Sequence, residues 1–324
     1  MMEKPRIVFM GTPEFAVPPL QRLIDEAYPV VGVVCQPDRP QGRHQRVIAP
    51  PVKVLAEAYG ITVLQPEKVR TPDFAAQVRS LSPDLIVTAA YGRILPANIL
   101  AIPPRGCLNV HASLLPAYRG AAPIQWSIIR GEKETGVTIM LMDEGMDTGD
   151  ILLQRRLPIA EDIDAEQLSR QLARLGADML PEVIEGWLDG SLIAQNQDSL
   201  GTASQITPLS RELGRINWMS SAGEIHDLIR GLYPWPGAYT AFAQKRLKIH
   251  RARICHDVSI LTQAAGMAPG RICATGPDSI SVVCGDGVID LLEIQPDAGR
   301  RMLCRDCGHN YQPGLMMGDD VDDV

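Results

Sequence analysis

A chain of 324 residues is too long for one ordinary domain and comfortable for two. Its 45% hydrophobic and 21% charged residues exclude a disordered chain. A net charge of −7 argues against general affinity for polyanions, though a local basic patch stays compatible with it.

No apolar run approaches the roughly 18 residues of a membrane span. The start, Met1-Met-Glu-Lys-Pro5, leads straight toward a strand with no signal-peptide pattern. Seven scattered cysteines (35, 107, 255, 273, 284, 304 and 307) read as reduced, mostly buried thiols. The expectation is a soluble, cytoplasmic protein with no membrane partner.

Residues 6–10 are a short apolar run ending at Gly11-Thr12-Pro13. Thr12 followed by Pro13 predicts an N-cap with proline at the first helical position, and a helix to about Asp25. Its free amides suit an anion, but no second glycine follows to make a dinucleotide fingerprint. Residues 30–35 form a second buried strand, which completes a βαβ unit. The next segment, Asp38 to Arg46, holds three arginines (Arg39, Arg43, Arg46) against one aspartate and is rich in Pro and Gly. It is expected to be irregular, either a solvated loop or an arm whose arginine forks touch phosphates. Helices are predicted at 51–59 and 73–81, and strands at 61–64 and 84–90. Tyr91-Gly92-Arg93-Ile94-Leu95-Pro96 leaves the end of the last strand. In open α/β sheets ligands sit outside such ends, so this turn is either a pocket wall or an ordinary strand-to-helix turn.

Residues 108–111 are the next strand. Asn109 and His111 stand two positions apart on it, so both side chains leave one face. A loop with Ser113, Pro116 and Gly120 follows, then a helix at 123–130 with Pro123 at its first position and Gly131 beyond its end. Residues 137–142 are a strand apolar on both faces, Asp147 follows it, and 151–157 is another strand. Residues 166–187 carry helical spacing in Leu168, Leu172, Leu175, Met179, Val183 and Ile184. The repeated alternation predicts an open, doubly wound, Rossmann-like α/β sheet over residues 1–189.

From 190 to 207 the chain turns polar and reads as a linker. Beyond it, a helix at 221–230 precedes short runs at 239–242, 247–254, 270–273, 280–283 and 288–294. Glycine turns separate these runs, as in a small β-barrel over 208–324. Cys304-Arg-Asp-Cys307-Gly-His309 looks like half a zinc ribbon with no second half, and no metal is expected. The end, 318–324, is acidic and expected to fray.

Three uses of Asn109, His111 and Asp147 stay open on this basis. The first is acyl transfer from a formamide-like donor to an amine. The amine is its own nucleophile there, and the amide and imidazole stabilise an oxyanion. The second is a metal site of His111, Asp143 and Asp147, though the sequence has no zinc-type histidine spacing. The third is a hydrogen-bonded core histidine. Ser113 lacks the elbow motif of a nucleophile.

Asn109-Val-His111-Ala-Ser113-Leu114-Leu115-Pro116, with Tyr118-Arg119-Gly120 and Met142-Asp-Glu-Gly-Met-Asp147-Thr-Gly149, closely resembles the folate-dependent formyltransferases. The resemblance implies Asn109, His111 and Asp147 as a catalytic trio. It also implies Ser113, Leu114, Leu115 and Pro116 as a folate-contacting segment, and Tyr91, Gly92, Arg93, Ile94 and Leu95 as a wall of the pterin pocket. The co-substrate it implies is 10-formyltetrahydrofolate.

That core serves several acceptors. Met10 to Phe15, Gln36 to Pro40, Gly42-Arg43, Gly214 to Trp218 and Tyr233 to Ala238 resemble the branch whose acceptor is initiator methionyl-tRNA. This branch implies an OB-like C-terminal barrel that binds tRNA, and a monomer. After Met302 the chain departs from the family pattern. The stretch Lys245-Arg246-Leu-Lys248-Ile-His250-Arg251-Ala-Arg253 has five lysines and arginines and no acid. As a strand it buries Leu247 and Ile249, and its outer face is either a lysine-protected edge or a phosphate contact. With tRNA in view, Arg39, Arg43, Arg46, Lys245, Arg246, Lys248 and Arg251 are the expected tRNA contacts. The alternatives are a formyltransferase for a nucleotide-linked amino sugar and a catalytically silent RNA-binding homologue.

Overall fold

The structure is a computed structural model that describes residues 3–41 and 46–318. Strand β1 (Ile7–Gly11) is five buried residues. Gly11 ends it where no side chain fits, because a Cβ would stand 2.6 Å from the Cβ of Ala16 and 2.9 Å from the Ala89 carbonyl oxygen. The expected Thr12 cap does not form. Pro13 instead precedes a 3-10 turn at Glu14–Ala16, and helix α1 (Val17–Asp25) starts later. Thr12 has other partners: its hydroxyl donates to the Tyr91 carbonyl and accepts from the Gln36 amide, both at 3.3 Å. Those bonds tie the carboxyl ends of neighbouring strands together.

Strand β2 (Val30–Val34) lies parallel to β1. The arginine-rich segment is not irregular, as expected, but an antiparallel pair of β3 (Arg39–Gln41) and β4 (Arg46–Ile48). Residues 42–45, Arg43 among them, lie outside the described residues. Helix α2 (Pro51–Ala58) and strand β5 (Val63–Leu64) anchor the base of this pair. Asp38 accepts from Gln65 at 2.7 Å and from Lys53 at 2.8 Å. Those hydrogen bonds, Gln65 first, hold its carboxyl below the usual range. Side-chain anchoring outside the segment, invisible in its composition, makes it regular.

Next come α3 (Pro72–Ser80), capped by the Thr71 hydroxyl, β6 (Leu85–Ala89), α4 (Ala97–Leu100), β7 (Cys107–His111) and β8 (Arg119–Gly120). Then follow α5 (Pro123–Ile129), β9 (Glu134–Leu141), β10 (Ile151–Pro158), α6 (Ala165–Asp189) and β11 (Gln205–Ile206). The main sheet runs β10-β9-β7-β6-β1-β2-β5. Five strands are parallel, while β9 runs antiparallel to β7 and β10 antiparallel to β9. Helices cover both faces. Val8, Met10 and Ile86 pack with Phe74 and Val78 of α3 and Ile99 of α4. Gly176 of α6 lies so close that a Cβ would stand 2.6 Å from Val110.

The chain forms two units. The first holds the main sheet and extends to Ile206. The second takes Ile124–Lys133, Ile159–Leu168 and the chain from Thr207 onward. Segment 190–206, a linker by composition, packs within the first unit: Gln197 is buried, β11 pairs with β8, and Gln195 bridges to Ile151.

In the second unit, α7 (Ala222–Gly231) opens with a capping box of Ser221 and Glu224. Its strands and short helices are β12 (Ala238–Phe242), β13 (Lys245–Ile254), α8 (Val258–Ala264), β14 (Ile272–Thr275), β15 (Ile280–Val283), β16 (Val288–Pro296), β17 (Met302–Leu303) and α9 (Cys304–Cys307). The antiparallel order is β12-β13-β16-β15-β14, with β17 also on β16. Residues 314–318 bridge the open side. The Gly314 and Met317 amides donate to Ile272 and Gly270, and the Gly318 amide donates to Ala241 of β12, each at 2.8 Å. Gly318 is therefore tied down where fraying was expected; 319–324 lie outside the described residues. Cys304 and Cys307 join the core with Tyr311, while His309 is exposed. Burial pushes the Cys304 thiol up to about 12.

Candidate active site

Asn109 and His111 leave the face of β7 opposite Val110. The register sets Thr88 of β6 beside Asn109 and Thr138 of β9 beside His111. The Thr88 hydroxyl donates to Asn109 Oδ1 at 2.8 Å, so the amide nitrogen turns the other way, 3.5 Å from Asp147 Oδ1. That same carboxylate oxygen stands 3.5 Å from His111 Nδ1. On the far side of the ring, His111 Nε2 lies 3.1 Å from the Tyr118 carbonyl oxygen. Both ring nitrogens face acceptors, and one ring proton satisfies only one of them. The second oxygen of Asp147 accepts the Gly120 amide at 2.8 Å. The three side chains predicted to act together are thus brought together.

Asp147 reaches this place against the direction of its strand. Because β9 is antiparallel to β7, it ends beside Cys107, and the chain must fold back to meet His111. A tight loop does this. The Thr148 hydroxyl and the Gly145 amide donate to the Asp143 carboxylate at 2.7 and 3.0 Å. Gly149 crosses so close to β9 that a Cβ would stand 1.9 Å from the Leu141 carbonyl oxygen. Asp147 itself takes φ +56° and Tyr118 takes φ +61°, left-handed values uncommon for side-chain-bearing residues. Asp143 is occupied in its own loop and is not beside His111. Among the described residues no three His, Cys, Asp or Glu side chains gather to hold a metal.

The Ser113–Pro116 segment turns mostly inward. Ser113 is buried with its hydroxyl donating to the Ala117 carbonyl at 2.8 Å, and Leu115 packs with Met140 and Ile151. Leu114 covers Gly136, and Pro116 is buried. The hub is buried Thr138, which donates to the Ser113 carbonyl at 2.6 Å and accepts from the Leu115 amide at 3.1 Å. Gln154 braces both, donating to Thr138 and to the Leu115 carbonyl. At the end of β6, Gly92 and Ile94 are exposed and Leu95 is buried. Among the described residues the buried Tyr91 hydroxyl and Arg93 Nε have no hydrogen-bond partner, and Tyr91 packs in the core with Leu95 and Ile99.

Of the basic residues, Arg39 is exposed, with its guanidinium 3.3 Å from Gln36 Oε1. Arg46 lies on β4, and its side chain, like all of Arg43, lies outside the described residues. Strand β13 is not an edge, since β12 and β16 flank it. Leu247 and Ile249 are buried as alternation predicts, and the register slips around Arg251. Lys245 and Arg251 are exposed and Lys248 is half-buried. Arg246 lies 3.6 Å over the Tyr239 ring, and among the described residues its buried Nε has no hydrogen-bond partner.

Sequence reasoning missed Thr88, Thr138 and above all the polar segment at 195–206. There the Ser204 hydroxyl accepts the Tyr118 amide at 2.8 Å, and its carbonyl accepts the Arg119 amide at 2.9 Å. Polar composition alone looks the same whether it faces water or a buried backbone.

Residues 5–184 match the family model described as formyl transferase, and residues 208–311 that described as formyl transferase, C-terminal domain. The methionyl-tRNA formyltransferase of Geobacter metallireducens is 47% identical over 314 residues, 96% of this chain and 98% of its own. That of Caldanaerobacter subterraneus subsp. tengcongensis is 49% identical over 316 residues, 96% of this chain and 99% of its own. Among solved structures, HypX from Aquifex aeolicus in complex with tetrahydrofolic acid has a TM-score of 0.63 at 18% identity, over 95% of this chain and 47% of its own.

Proposed function

Because the chain belongs to the formyl transferase family and, within it, to the methionyl-tRNA formyltransferases, we propose that Asn109, His111 and Asp147 carry its chemistry. The enzyme moves a formyl group from a folate donor to the amino group of methionyl-initiator tRNA, for translation initiation. We take the donor to be 10-formyltetrahydrofolate, which supplies the formyl carbon.

One observation carries the reading of the trio. A single carboxylate oxygen, Asp147 Oδ1, is 3.5 Å from both the Asn109 amide nitrogen and His111 Nδ1. The acceptor's amine attacks by itself, so the protein needs no nucleophile of its own. Asn109 and His111 donate to the oxygen on which negative charge develops. Asp147 fixes the ring of His111 and the tilt of the Asn109 amide. Tyr91 to Leu95 and Ser113 to Pro116, the stretches that resemble the family's folate-contacting segments, would hold the folate. Ile94 offers an exposed apolar contact. Arg39, Arg43 and Arg46, with Lys245, Arg246, Lys248 and Arg251, would meet the tRNA. All seven cysteines are free and buried, which suits a reducing cytoplasm, and we take the enzyme to act there as a monomer.

The test is tetrahydrofolate release from 10-formyltetrahydrofolate with charged initiator tRNA. Asn109→Ala and His111→Ala should each lower kcat by about a hundredfold or more, as for loss of one oxyanion donor. Near-normal turnover in both would sink the assignment. An amino-sugar nucleotide in place of tRNA should give no release.

A further inference from the structure

We propose that Gln197 is a positioning residue for formyl transfer, setting the main chain of Asp147 so that its carboxylate meets Asn109 and His111. The inference rests on the reading of Asp147 as a member of the trio. Gln197 lies between the two stretches that match the family models, 5–184 and 208–311. It is 1% exposed. Its amide nitrogen donates to the carbonyls of Asp147 at 2.9 Å and Gly149 at 2.6 Å. Its amide oxygen accepts from Arg119 Nε at 2.9 Å and Nη2 at 2.7 Å.

Chemistry leaves no second way to orient this amide. A guanidinium only donates and carbonyls only accept, so a flipped Gln197 would lose all four bonds. Both hydrogens and both lone pairs are used. The residue held in this way is the one at φ +56°, a conformation that persists only where its surroundings over-determine it. Arg119 stands next to Gly120, whose amide donates to the Asp147 carboxylate. Gln197 thus joins the two chain segments that meet at Asp147, one through its oxygen and one through its nitrogen. A surface linker residue would need none of this.

The experiment uses the full-length enzyme, steady-state kinetics with both substrates, and two variants. Gln197→Leu should lower kcat tenfold or more, with both Michaelis constants within twofold of the parent. In an Asp147→Asn background the same change should lower kcat less than twofold, because the carboxylate it positions is already gone. Wild-type kcat, a loss confined to the Michaelis constants, or full multiplicativity in that background would overturn the inference while leaving the trio intact. Wild-type kcat in Asp147→Asn alone would instead remove the trio reading. Gln197→Glu decides the matter should the leucine variant fail to fold. It still accepts from Arg119 but, ionised beside that guanidinium, donates to neither carbonyl, so kcat should again fall tenfold or more with both Michaelis constants within twofold of the parent. Wild-type kcat in that variant, or a loss confined to its Michaelis constants, overturns the proposal.

Discussion

The trio gathered at the end of β7 and the basic face of β13 are built on opposite terms. Around the trio, polar atoms are desolvated and paired: the buried ring of His111 lies between a carboxylate and a carbonyl, and Asp147 answers to both neighbours and to Gly120. On β13, Lys245 and Arg251 stand in water, and Arg246 rests on an aromatic ring. The first arrangement gives each side chain more than one partner within the protein. The second leaves charges mobile and screened, which suits a long polyanion held by many weak contacts. A change at one atom should therefore be ruinous in the first region and graded in the second.

Breaking the comparison begins where the effect is largest, with the hundredfold losses expected at Asn109 and His111. The expected tenfold loss at Gln197 extends the same rule to a residue that touches no substrate. Next is Gly149→Ala, whose new methyl would sit on the Leu141 carbonyl oxygen. It should cost on the order of 1–3 kcal/mol in stability, read by thermal melting, and lower kcat as the Asp147 loop shifts. Unchanged melting and turnover would show that the loop has slack.

On β13, Lys248→Glu with Arg251→Glu should raise the Michaelis constant for tRNA several-fold and flatten its dependence on salt, leaving kcat nearly unchanged. Indifference to both salt and mutation would make this face a solubilising surface only.

The smallest effect concerns two histidines of the second unit. Burial, first, and then Arg230 hold His226 below its ordinary value against the opposing pull of Asp227, Asp162 and Glu161. Burial likewise depresses His250, with Gln295 bonded to it and Arg301, Glu293 and Lys248 nearby. A depressed histidine binds fewer protons folded than unfolded. Its contribution is therefore fully present above about 6.5 and is lost as pH falls through that value toward the folded one. Melting temperatures between about pH 7.5 and 5.5 should fall, and fall less steeply in the His226→Gln, His250→Gln double variant. Parallel curves would show that other groups govern the acid limb.

Much of this was legible from residue order because it depends on local periodicity. The strands that became β1, β2, β6 and β7 are short apolar runs, and the face shared by Asn109 and His111 follows from alternation alone. The β3–β4 pair was not legible, since Pro and Gly in the segment argued for a loop and its anchors, Lys53 and Gln65, are distant in sequence. Thr12 misled for a related reason: its signal was local, while its partners at Gln36 and Tyr91 were not.

The sequence by itself determined most of the element pattern and the face that Asn109 and His111 share on β7. Only the tertiary structure decided that β9 is antiparallel, so that the Asp147 loop must fold back across Gly149. It alone decided that a polar stretch reading as a linker supplies Gln197 and Ser204 to the walls of the site. The physical reason is that periodicity reports which way a side chain points relative to its own element. It carries no information on which buried carbonyl, thirty or a hundred residues away, that side chain will satisfy.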